Sequence, residues 1–142
     1  MALNEQQIAV ILQASIERAS ELLREEGGFL PFGGRAKPSG DIEFVQLAPE
    51  SEAEPLDALV GRLAEMLSGE AERGEILGSA LVANAQRADE ENGEAILVLV
   101  ETAGFSRSVT VPYRIEGGQI ELGRMSPEAV EPKVFAGVPE PG

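Results

Sequence analysis

Carboxylates are the only groups numerous enough in this chain to carry chemistry. Of 142 residues 25 are acidic and 11 basic, the formal net charge is -14, and histidine and cysteine do not occur. Imidazole and thiol most often supply general bases, soft metal ligands and nucleophiles near neutral pH, so the catalytic inventory is reduced to acids, hydroxyls and two lysines. All the acids are glutamates except Asp41, Asp57 and Asp89, which are scattered. Hard-cation loops need short oxygen ligands at close spacing, and neither an EF-hand spacing nor a similar one is present; no metal and no cofactor are expected. The acidic stretch Asp89-Glu90-Glu91-Asn92-Gly93-Glu94 reads as a solvated hairpin turn before it reads as a weak cation loop.

The remaining motifs fail for specific reasons. Gly28-Phe29-Leu30-Pro31-Phe32-Gly33-Gly34 has the glycine spacing of a phosphate loop but lacks the Lys-Ser/Thr pair, and it follows a helix where a strand is required. Gly104-Phe105-Ser106-Arg107-Ser108 ends in serine where a nucleophile elbow needs glycine, and no histidine exists to activate Ser106. Lys37 sits in a turn and Lys133 in the tail, where neither amine is desolvated enough to become reactive. Tyr113, the single tyrosine, is expected to pack along its strand with Val111 and Ile115. The chain is therefore expected not to be an enzyme.

The elements behind these residues are legible from periodicity. Asn4 and Gln7 form a helix start, followed by Ile8, Ile11, Leu12, Ile16, Ala19, Leu22 and Leu23 at i, i+3, i+4 spacing, with Gly27-Gly28 as terminator. Ser15 interrupts that stripe and is expected to bond back to the Ile11 carbonyl. Leu3, Val10 and Ala14 fall on the other side of the helix, free to touch a partner or the chain's own tail. Residues 29–36 and 41–47 flank the turn Lys37-Pro38-Ser39-Gly40 and predict a hairpin. A second helix begins either at a Ser51/Glu54 capping box or at Glu54 with Pro55 as its first residue. It buries Leu56, Leu59, Val60, Leu63, Met66 and Leu67, and ends at Gly74. Strands follow at 76–87, 94–102, 105–115 and 119–122. The run Ala95-Ile96-Leu97-Val98-Leu99-Val100 is apolar on both faces and must be covered on both. Pro112 pushes its strand toward an edge or a bulge. Residues 125–142 contain Pro127, Pro132, Pro139 and Pro141 and are expected to be an irregular tail anchored by Val134 and Phe135.

These elements predict an α+β domain over residues 1–124 with a proline-rich tail at 125–142. Its sheet is mostly antiparallel, five- to six-stranded and carries two amphipathic helices in the order α-β-β-α-β-β-β(-β). That order resembles the profilin-like and roadblock folds as topology alone, without their usual last helix and with no implication for function.

The most distinctive local feature is Glu25 to Gly34, in which Phe29 and Phe32 bracket Pro31 between two glycine pairs. It either plugs one end of the core or forms the lip of an apolar pocket or contact surface made of Phe29, Leu30, Pro31, Phe32 and Phe44. Here the chain resembles small uncharacterised bacterial proteins in which a helix runs into a Gly-Phe-hydrophobic-Pro-Phe-Gly segment and a hairpin; the resemblance implies no activity and adds no catalytic residue.

A strongly negative chain repels phosphate backbones and anionic lipid, so nucleic acid and membranes are poor partners. No secretory signal or membrane-length apolar run occurs, and a cytoplasmic location is expected. Three functional readings stand. The first is a non-enzymatic interaction protein acting through a protein surface, with a protein partner of basic charge or a second copy in a homodimer. The second is a small-molecule-binding domain with an apolar pocket between helix and sheet near Phe29, Phe32 and Phe44. The third is a carboxylate-only enzyme with two converging glutamates.

Overall fold

A computed structural model describes residues 3–51, 53–86 and 94–138. The expected turn at 89–93, Arg87, Pro139 and Pro141 lie outside the described residues.

The first helix, α1 (Glu5–Glu26), opens on the capping box that the sequence predicts. The Gln7 amide donates to Asn4 Oδ1 at 2.8 Å, and the Asn4 amide donates to Gln7 Oε1 at 3.0 Å. It closes at Gly27, whose φ of 77° is the left-handed conformation that glycine adopts without a Cβ penalty. Ser15 is fully buried, and its hydroxyl donates to the Ile11 carbonyl at 2.8 Å. Asn4→Ala leaves the Gln7 amide without its acceptor and is expected to cost about 1 kcal/mol in urea denaturation; an unchanged midpoint would mean that tertiary packing alone fixes this end.

The chain then forms the hairpin β1 (Phe32–Ala36) and β2 (Ile42–Val45), turning through Gly40 at φ 95°. Helix α2 (Leu56–Glu72) starts at neither expected place, well after the Ser51/Glu54 box and one residue after the Pro55 start, with Pro55 extended at its N-cap and no side chain capping it. Glu54 does not serve as a cap residue because its carboxylate has other partners: it accepts from Arg62 at 2.7 Å and from the Glu50 amide at 2.9 Å. The Arg62 hydrogen bond also holds Glu54 below the usual carboxylate range. Leu56, expected in the buried stripe, is consequently left exposed at the helix start.

Five more strands complete the sheet: β3 (Gly78–Gln86), β4 (Glu94–Thr102), β5 (Phe105–Glu116), β6 (Gln119–Leu122) and β7 (Ser126–Ala129). All pairings are antiparallel, in the order β2-β1-β3-β4-β5-β6, with β7 also on β5. The fold is α+β, with seven strands where sequence predicts five or six.

The additional strand corrects the reading of 125–142 as irregular at residues 126–129. Pro127 lies in β7 opposite Val109, on the outermost strand, where a missing N–H costs no ladder bond. Pro112 follows the same logic. Residues 107–110 of β5 pair with β7 and residues 113–116 with β6, and Pro112 lies in the gap between, its carbonyl accepting from the Gly123 amide at 2.7 Å.

The helices lie on opposite faces of the sheet. Under α1 are Phe32, Ala36, Ala80, Val82, Ile96, Val98, Val100, Val109 and Val111. Under α2 and the tail are Ile76, Leu81 and Ala103, packed with Leu63, Leu67, Ala71, Val134 and Phe135. Val134 and Phe135 are both buried, as the sequence predicts. Leu3 packs over Gly78 and donates its amide to Thr102 Oγ1 at 3.2 Å, whereas Val10 stays exposed. No helix among the described residues is long and apolar enough to cross a membrane.

Candidate functional site

Strand β4 sits at the middle of the sheet, and its two faces are covered unequally. Ile96, Val98 and Val100 are sealed under α1, each at most 1% exposed. Leu97 and Leu99, which alternate with them on the other face, are only partly buried, because α2 packs over β1 and β3 and stops short of β4. The uncovered strip is a groove of about 280 Å3. Leu81, Ala83, Leu97, Leu99 and Ser108 form its floor, Asp57, Val60 and Leu63 of α2 one wall, and Val130, Glu131 and Lys133 of the tail the other. Pro31 and Phe32 also line it. Three exposed apolar side chains belong to its surroundings: Val130 lines the groove, and Leu30 and Leu56 each directly precede a lining residue.

The tail wall is fixed by one side chain. Glu101, also on β4, is fully buried, and its two carboxylate oxygens accept from the backbone amides of Lys133, Val134 and Phe135 at 3.0–3.1 Å. In register it lies between Ser79 and Ser106, with Arg35 beyond Ser79, so these four side chains form a row across the α2 face. Arg35 continues the row upward, its Nε 3.0 Å from Glu70 on α2. The hydroxyls of Ser79 and Ser106 have no hydrogen-bond partner among the described residues. Although it contains a carboxylate and serines, this row is closed to substrate: Glu101 is saturated by amides and Ser106 is buried.

The residues of the 25–34 segment divide between the two faces. Phe29, Phe32 and Phe44 pack in sequence, the first pair tilted and the second edge to face, with ring centroids 5.6 Å and 5.7 Å apart. Phe32 and Pro31 are buried, while Leu30 and Phe44 are exposed. Of the five, Pro31 and Phe32 line the groove; Phe29, Leu30 and Phe44 do not. The glycines here serve close packing: a Cβ on Gly33 would come within 3.2 Å of Leu67 Cδ1, and one on Gly34 within 3.2 Å of the Phe44 ring.

A second, wider depression of about 680 Å3 lies between α1 and the β5–β6 side of the sheet, lined by Leu12, Ile16, Val111, Leu122 and Met125 with Gln13, Glu17 and Arg24 at its polar edge. Beside this depression, Tyr113, the cross-strand partner of Leu122, is buried, and its hydroxyl donates to Glu94 at 2.9 Å while accepting from Asn84 at 2.7 Å. Burial, reinforced by Glu94, pushes its phenol up to about 12 from 10.0. A raised folded value stabilises the fold fully below pH 10, and this contribution is lost as the pH rises toward 12. Because Tyr113 is the single tyrosine, phenolate absorbance reports it alone; Glu94→Gln is expected to bring the ionisation back toward 10, and an unshifted titration would remove Glu94 as a cause.

No group of three or more metal-ligating side chains occurs among the described residues. Glu101, Leu97 and Leu99 are the site residues that local sequence reading passed over. The signal available was the period of two, which puts Glu101 on the same inward face as Leu97 and Leu99. No family model matches the chain, and no curated protein and no solved structure matches it significantly.

Proposed function

We propose that this protein is a non-enzymatic recognition domain that takes an apolar segment of a protein partner into the groove between α2 and residues 130–133. One observation carries the reading: Leu97 and Leu99, in the central strand of the sheet, are only partly buried on one face while the other face of that strand is sealed. Leaving such a surface to water forgoes about 25 cal/mol per Å2, and apolar strips of this kind mark interaction sites. At about 280 Å3 the groove is just below the ~300–1,000 Å3 usual for small-molecule cavities, which suits a side chain or two from an extended segment better than a whole ligand. The exposed Leu30, Leu56 and Val130 extend the apolar area for such a partner.

Panning a phage-displayed random peptide library tests this. Peptides with apolar anchors should be enriched on the wild type and should lose binding to Val130→Glu, an exposed position whose substitution leaves the core intact. Failure to enrich any sequence, or undiminished binding to the variant, would refute it.

The depression beside α1 supports a second reading as a small-molecule site, since about 680 Å3 lies within the usual range. A ligand at about 100 times its Kd would add ~2.7 kcal/mol of stability, which thermal-shift screening detects; a flat response across metabolite libraries would leave the first reading alone.

A further inference from the structure

Resting on that reading, we infer that the segment the groove takes up is cationic: an apolar anchor with lysine or arginine beside it. The two walls present carboxylates to the same apolar floor, Asp57 from the first turn of α2 and Glu131 from the tail. Glu128 on β7 is the cross-strand partner of Ser108, which lies in the floor, and so faces the same side. Against these three acids the groove holds one cation, Lys133.

Of the chain's other described cations on this side of the sheet, four are engaged elsewhere, and Arg114, on the same face of β5 as Ser108 but six residues along the strand, forms no ion pair. Arg62 is held by Glu54 and Glu50, Arg35 by Glu70 and Glu43, Lys37 by Glu43, and Arg73 by Glu75. These contacts hold Glu43, Glu54 and Glu75 below the usual carboxylate range. By contrast, Asp57, Glu128 and Glu131 form no ion pair with a described residue. They are thus open to a counter-charge from outside the chain. A second copy of this chain is a poor source, because two bodies of net charge -14 repel and the same carboxylates would meet. A basic segment is drawn in over long range and finds its charges opposite the rim once its apolar anchor rests on Leu97 and Leu99.

The test uses the same random peptide library, panned at low salt on the wild type and on the double variant Asp57→Asn/Glu131→Gln, with Kd measured for the enriched peptides. Lysine or arginine should be over-represented beside the apolar anchor. The enriched peptides should weaken about fivefold or more on the double variant, and again as salt rises. Enrichment of apolar anchors with no cationic bias, binding equally to both proteins, would overturn this inference and leave the groove reading standing. A library that enriches nothing would overturn both. Concentration-dependent self-association abolished by Val130→Glu would assign the groove to a second copy and overturn the cationic partner.

Discussion

Glu101→Gln is expected to destabilise the protein by about 3 kcal/mol or more. The carboxylate is fully buried, and three consecutive backbone amides, those of Lys133, Val134 and Phe135, depend on its two oxygens. Hydrogen bonds to a charged acceptor contribute about 1.5–3 kcal/mol each, and a buried donor left without an acceptor costs about 1–3. Glutamine keeps one oxygen and sets an N–H group in the place of the other, where the Lys133 and Val134 amides, themselves donors, stand 3.0–3.1 Å away and water does not reach. The loss should appear in urea denaturation. Amides 133–135 should exchange with solvent faster than those of β4. If the tail leaves the sheet in the variant's native state, the denaturant slope should also fall, because less surface remains to be exposed. A loss under about 1 kcal/mol would show that Val134 and Phe135 hold the tail by packing alone.

Leu63→Ala should cost about 3 kcal/mol, within the 2–5 typical of a buried leucine, whereas Leu56→Ala should stay within about 0.5. The two residues lie on one helix and were expected in one stripe, yet Leu63 is fully buried against the sheet and Leu56 is 53% exposed. Leu63 also packs over Gly33, which has no side chain of its own to fill the space left behind. Denaturation midpoints of the two variants measure the difference; equal losses would mean that α2 is seated differently, with its first turn buried.

What the sequence made legible was local or periodic. The Asn4–Gln7 box, the Ile11–Ser15 hydroxyl bond and the Gly27 terminator involve partners within four residues, so short-range chemistry was enough to find them. The two-faced character of β4 followed from its unbroken apolar run. Other features depend on contacts distant in sequence. Glu101 finds its amides 32–34 residues downstream, and no spacing rule connects them. Strand β7 was obscured because proline counts against a strand except at an edge, and whether 126–129 lies at an edge is a property of the assembled sheet. In the 25–34 segment composition marked the right stretch but not its orientation: Phe32 turns into the core, and Pro31 beside it reaches the groove.

Methyl NMR of the wild-type protein, titrated with a library-selected peptide, tests the binding account most directly. The account predicts that the methyl resonances of Val60, Leu97, Leu99 and Val130 shift and saturate together while those of Leu12, Ile16 and Met125 stay in place. Shifts confined to the α1 side, or none at the groove while the peptide is bound, would contradict it.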